Sequence, residues 1–168
     1  MNKNDVKIVQ HPGPVREYDT EDLTNSDEST VLYVGEPVKR TDGTADYLER
    51  LETGDPEIAT DLFVGIVVKE GTETATANGK VLVNCLIPSQ TVLRAKAVTA
   101  TNINTAAKLL AFMHNSVTFT LTSTVFAIDE DETDDPNVHG LRIIDGDIVK
   151  GTLDVLVHSM VCESGAYI

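Results

Sequence analysis

Ser116-Val117-Thr118-Phe119-Thr120-Leu121-Thr122, running on through Ser123-Thr124 to Val125-Phe126-Ala127-Ile128, is the stretch that decides the fold. Val117, Phe119 and Leu121 alternate strictly with Thr118, Thr120 and Thr122. A period of two puts the apolar set on one face of a strand and the hydroxyls on the other, so a half-buried strand is expected. The same chemistry extends outward. Val, Ile and Thr number 20, 10 and 20 among 168 residues, and β-branched side chains favour strands over helices.

Toward the N-terminus lie short apolar runs, VLYVGEPVKR (31–40), YLERL (47–51), LFVGIVVKE (62–70), KVLVNCLI (80–87) and TVLRAKAV (91–98). Thr41-Asp42-Gly43, Gly54-Asp55-Pro56, Gly71, Asn78-Gly79 and Pro88-Ser89 punctuate them, and Asn78-Gly79 suits a tight hairpin because both central residues of that turn need positive φ. Toward the C-terminus, Leu141 to Ile144 and Thr152 to Val161 read as strands on either side of Asp145-Gly146 and Gly151. One segment departs from this rhythm. Residues 101–115 hold polar N-cap candidates, good helix formers, and Ile103, Ala106, Leu110 and Met113 at helical spacing, with Asn115 placed to close the end. Roughly eight short strands, one helix and no βαβ alternation predict a mainly β fold, an antiparallel β-barrel or sandwich with one short α-helix at about 101–115.

Residues 1–30 carry His11-Pro12-Gly13-Pro14 and a polar run from Tyr18 to Ser29, and are expected to be an extended N-terminal arm beside a single β-rich domain at 31–168. The arm has too few apolar side chains to offset an ordering cost of roughly 1–2 kcal/mol per residue. Val6, Ile8 and Val9 nevertheless form a short β-prone core suited to adding a strand to a neighbour's sheet edge, and Pro12 and Pro14 would end that pairing because neither has an N–H for the ladder. These five residues are the candidate interaction site, and the arm is expected to order on contact with a neighbouring subunit.

Charge excludes some functions. Thirteen Lys and Arg against 27 Asp and Glu give a net charge of -14, which rules out a phosphate-neutralising surface over the whole molecule, so no nucleic-acid partner is expected. Residues 71–128 are the exception, with four basic groups and one acidic, a neutral to weakly basic stretch able to face an acidic partner. No run of about 18 apolar residues occurs, and Met1 opens the polar MNKNDVK, so neither a membrane span nor a secretion signal is expected. Cys85 and Cys162 sit among apolar residues and read as small buried thiols.

The residues that carry chemistry give no enzyme. There is no G-x-S-x-G, no G-x-x-x-x-G-K-[ST] and no G-x-G-x-x-G. His11, His114, His139 and His158 are not at metal-ligand spacing, and His158, in an apolar strand, reads as a hydrogen-bonded core or interface histidine. Asp129 to Asp135 offers the hard oxygens that calcium takes, but without an EF-hand's glycine and distal Glu it reads as a solvated acidic loop, with weak divalent binding as the alternative. Trp is absent and aromatic residues are few, against sugar-binding or base-stacking platforms. No catalytic residue, metal ligand or cofactor is assigned.

Val34-Gly35-Glu36-Pro37-Val38-Lys39-Arg40, then Leu51-Glu52-Thr53-Gly54-Asp55, Phe63-Val64-Gly65-Ile66-Val67 and Gly79-Lys80-Val81-Leu82-Val83 form an order similar to the small β-barrel modules of tailed-phage capsid decoration and cement proteins. The helix at 101–115, Val117 to Thr120 and the closing Gly140 to Asp147 resemble phage auxiliary head proteins, so the likeness spans about residues 31–161. The resemblance implies a non-enzymatic structural protein, made in the host bacterial cytoplasm and located in the virion on the capsid surface. Its implied partners are the major capsid protein and itself, as a homotrimer. It carries over no functional residue. The alternatives are a phage tail or head-completion component and, in another class, a small-molecule or glycan-binding β-barrel.

Overall fold

The computed structural model describes residues 6–20, 31–40, 47–58, 60–72, 79–123 and 125–162. Its strands are β1 (Lys7–Gln10), β2 (Val15–Thr20), β3 (Val31–Leu32), β4 (Pro37–Arg40), β5 (Tyr47–Arg50), β6 (Phe63–Lys69), β7 (Gly71–Thr72), β8 (Lys80–Cys85) and β9 (Val92–Ala97). After a helix, α1 (Ala106–Phe112), come β10 (Ser116–Val117), β11 (Phe119–Thr122), β12 (Val125–Ile128), β13 (Leu141–Asp147) and β14 (Thr152–Val157). The fold is mainly β with one short helix, as the sequence predicts.

Five strands close a barrel in the order β2-β5-β4-β6-β8, antiparallel throughout except for the β2–β5 pair. Strand β8 shows how the sequence builds it. Val81, Val83 and Cys85 point inward and are buried, while Lys80 between barrel and solvent is exposed. Leu32, Val38, Leu48, Val64 and Val67 complete this core, with Tyr18 packed against it.

The second sheet runs β10-β13-β14-β9-β12-β11, with β1 on one edge of β9. Its end strands, β10 and β11, are consecutive in the chain with only Thr118 between them, so the sheet curls until it nearly closes. Inside lie Leu93, Val117, Phe119, Phe126, Ile128, Leu141, Ile143, Leu153, Val155 and Val157. Phe119 meets Phe63 and Phe126 edge to face, with ring centroids 6.5 and 5.9 Å away. Strand β6 serves both cores, sending Val64 and Val67 into the barrel and Phe63 and Ile66 into the curled sheet. Gly65 lies at this junction because a Cβ there would run into the Asn84 carbonyl of β8.

Two expectations are corrected. The leading stretch is extended, as predicted, but residues 6–20 are laced into the body and do not wait for a neighbour: β1 pairs with β9, and β2 pairs with β8 from Val15↔Asn84 to Asp19↔Lys80 and so closes the barrel. Backbone pairing supplies what the sparse apolar side chains lack, and Val6 itself is buried in the larger core. The rest of the expected arm, residues 1–5 and 21–30, lies outside the described residues, as do Asn78 and the turn Thr41-Asp42-Gly43.

The helix is shorter than 101–115. Thr105 takes the N-cap in an extended conformation, its side chain accepting from the Lys108 N–H, and a separate 3-10 turn at Ala100–Asn102 precedes it. Met113 leaves helical geometry and His114 follows in the left-handed region at φ 75°. Leu109, Phe112 and Met113 pack on the core, whereas Leu110, expected on the buried face, is 72% exposed. Ile103 is buried from outside the helix.

Candidate interaction surfaces and a polar cleft

The five residues predicted to interact fall along the seam where the chain passes from the curled sheet to the barrel. Val6 is buried, and Ile8 pairs with Leu93 and packs on the larger core. Val9 sits at a bulge between Ile8 and Gln10 and is partly exposed. Pro12 and Pro14 are exposed and lie past the end of β1 at Gln10; the Pro14 carbonyl accepts from Cys85 N–H, and Gly13 N–H donates to the Cys85 carbonyl. Thr20 then locks the far end of β2, its Oγ1 accepting from Gly79 N–H at 3.0 Å.

The acidic stretch is not merely solvated. Glu132 accepts from Thr118 N–H at 2.9 Å and from the Thr118 hydroxyl at 2.6 Å, and Asp134 accepts from Ser116 N–H at 2.8 Å. Asp129 takes the Thr120 hydroxyl, Glu130 takes Thr99 N–H, and Glu130 and Asp131 both take the Asn102 amide. Asp129, Glu132 and Asp134 satisfy donors along the β10–β11 segment where the curled sheet has no further strand, while Glu130 and Asp131 serve the turn after β9. Among the described residues no group of three or more His, Cys, Asp or Glu is placed to hold a metal ion. A second buried network joins Lys39 to Asp55 and Asp61, each at 2.9 Å. Burial opposes the Lys39 ammonium, but the hydrogen bonds it donates to Asp61 and Asp55 outweigh this and hold its pKa above the ordinary lysine value. Both cysteines are buried, and burial pushes the Cys162 thiol up to about 12.

An apolar end crowns the curled sheet. Val98, Leu110, Ile148 and Val149 are exposed there, Val149 to 91%. Their segments adjoin: Ala97 N–H donates to the Gly151 carbonyl, Gly151 lies against Ala100, and Leu109 lies against Gly146. No helix of the described residues is long and apolar enough to cross a membrane.

On another side lies a cleft of about 480 Å³. Its floor is a cross-strand row, Ser116 on β10 paired with Arg142 on β13, itself paired with Leu156 on β14. Three of the four histidines, His114, His139 and His158, line it together with Ser89 and Asp134. His139 Nδ1 lies 3.2 Å from the Ser116 carbonyl, and its Nε2 lies 3.5 Å from Glu132. His158 stands just past β14, exposed, its Nδ1 accepting from Met160 N–H at 3.1 Å; it is hydrogen-bonded and caps a turn, and of the two placements the sequence suggested, core or interface, it does not take the core one. Sequence spacing concealed this convergence because the imidazoles are carried on three separate connections that only the β10–β13–β14 ladder brings side by side.

No family model matches the chain, and neither a curated protein nor a solved structure matches it.

Proposed function

We propose that this protein is a non-enzymatic structural protein that binds the outer surface of a phage capsid and stabilises the shell, acting as a homo-oligomer with a trimer as its first expected form. The reading rests on the resemblance over about residues 31–161, and the observation that carries it is the apolar end. Leu110 and Val149 are 72% and 91% exposed on a chain of net charge -14. Large aliphatic side chains left in water on an otherwise hydrated surface mark a contact site. Val98 and Leu110 also belong to the stretch with four basic groups and one acidic, which lowers the repulsion between identical acidic chains at those two positions. The occupant of this end is therefore a second copy of the chain, and a closed ring of copies multiplies weak contacts to the shell.

The test is light scattering of the pure protein followed by co-sedimentation with expanded, undecorated phage heads. Expected are an oligomer, saturable binding at a fixed number of copies per shell, and dissociation of the oligomer in Leu110→Glu with folding unchanged. A protein that stays monomeric at high micromolar concentration and leaves the heads bare overturns the reading. The small-molecule binding alternative has its own supporting observation in the polar cleft.

A further inference from the structure

The geometry points to the cleft between β10, β13 and the turn after β14 as a binding site for a small oxyanion bearing carboxylate or phosphate groups. Arg142 lies on the cleft floor, exposed, its side chain making no ion pair or hydrogen bond among the described residues. Its guanidinium presents a planar fork of donors and no acceptor, a geometry matched to carboxylate and phosphate oxygens. His158 spends Nδ1 as an acceptor for Met160 N–H, so in the neutral ring the proton stands on Nε2, which is left as a donor. His114 makes no side-chain hydrogen bond among the described residues and adds a second imidazole, and Ser89 adds a hydroxyl. Opposing them is Asp134, one of whose oxygens already accepts from Ser116 N–H. Glu132 is occupied by Thr118 and faces His139. Donors therefore outnumber free acceptors, and the complement of such a cleft is a ligand rich in acceptor oxygens.

Backbone conformation supplies an independent observation. Among the described residues, non-glycine positive φ occurs at His11, Ser89, His114 and Ser123, and two of these four line this one cleft. Left-handed conformations cost free energy for residues with a Cβ and cluster where a side chain must be aimed at a site. His114 is fixed in that conformation by its own N–H to the Ile143 carbonyl at 2.9 Å, with Ile143 N–H returning to the Asn115 carbonyl at 3.0 Å. The strain thus presents His114 at the cleft rim on a rigid support. A volume of about 480 Å³ accommodates a small polycarboxylate or a phosphorylated metabolite rather than a chain segment.

The experiment follows the imidazole carbon–proton resonances of the isotopically labelled full chain at constant pH and ionic strength. Inorganic phosphate and citrate are titrated in separate arms, with chloride as the control. Saturable shifts at His114, His139 and His158, with His11 stationary and chloride inert, are the expected result in at least one arm, and which arm responds identifies the oxyanion. Arg142→Gln should weaken that binding about 10- to 100-fold, the loss expected for a hydrogen bond to a charged group, and Arg142→Lys should restore part of it. Arg142 is exposed, so both variants are expected to melt as the wild type does. The proposal is overturned if neither anion gives a saturable shift, if all four histidines shift in parallel, or if Arg142→Gln binds as tightly as wild type. Shell attachment can fail while the cleft binds, so this test and the preceding one are independent.

Discussion

The closed barrel and the curled sheet solve the same problem in different ways. In the barrel every strand finds a strand on both sides, and among the described residues a small core of eight buried side chains, mostly valine and leucine, fills it, against twenty for the curled sheet. The curled sheet packs its core around three phenylalanines, but its ends are joined by chain continuity at Thr118. Donors left at that seam go to Asp129, Glu132 and Asp134. Closure by backbone leaves little to side chains, with Thr20 taking the Gly79 N–H at one end of β2, whereas closure by continuity needs several acceptors brought from elsewhere. The acidic run is therefore part of the fold of one half; in the other half the buried Glu36 also accepts a backbone N–H, that of Tyr33, but away from the closing β2–β8 pair.

The largest expected effect tests the difference in core size. Phe119→Ala removes the ring that bridges Phe63 and Phe126 and should cost about 3–5 kcal/mol, while Val83→Ala in the barrel should cost roughly 2 kcal/mol. Because β6 lines both cores, both variants should still unfold in one urea transition. Two separated transitions would show that the halves are independent and that β6 does not couple them.

A middle-sized effect tests the seam. Glu132→Ala strands the Thr118 N–H and hydroxyl in a residue only 1% exposed, and an unsatisfied buried donor costs about 1–3 kcal/mol. Urea denaturation measures it, and Glu132→Gln, which keeps one acceptor oxygen, should recover part of the loss. An unchanged midpoint in Glu132→Ala would mean that the acidic run is solvated surface after all.

Much of this architecture was legible in the sequence, and the failures have physical causes. The strict alternation at Val117, Phe119 and Leu121 locates strand and the first two residues are buried, but Thr118, on the other face by this pattern, is buried as well and separates β10 from β11. Residues 6–20 were misread because apolar content measures side-chain burial and says nothing of ladder hydrogen bonds; β2 has five exposed or half-buried residues of six and still closes a barrel. The helix was overextended because Ile103 and Leu110 keep helical spacing across a cap at Thr105 that ends the periodicity. The cleft was invisible because no local pattern encodes that Ser116 pairs with Arg142 and Arg142 with Leu156.

A smaller effect contrasts the two cores at alkaline pH. Cys162 in the curled sheet holds its proton up to about 12 when folded, against 9.0 for an ordinary thiol, because burial penalises the thiolate. Between those values the unfolded chain binds fewer protons than the folded one, so stability falls as pH rises, by at most about 1.4 kcal/mol per pH unit. Below pH 9 the thiol contributes no slope. The measurement is urea stability at pH 8 and pH 10 for wild type and Cys162→Ala, and a smaller decline in the variant is expected. Equal declines would remove the thiol from the account.

The smallest effect falls on the barrel's own seam. Lys80 and Asp19 form an ion pair across β2 and β8, in cross-strand register, where the barrel closes. At first sight this is the analogue of Glu132 on Thr118. The surroundings differ: the Lys80 and Asp19 side chains are 58% and 32% exposed, and the donors of this seam are already satisfied by the β2–β8 ladder. The pair raises the Lys80 pKa through its hydrogen bond to Asp19, yet an interaction made in water is screened and needs two mobile side chains to be held. Asp19→Asn should therefore leave the urea midpoint unchanged within error at low and at high salt. A clear loss at low salt that vanishes at high salt would show that the barrel, like the curled sheet, is closed by charge, and the distinction between the two seams would fall.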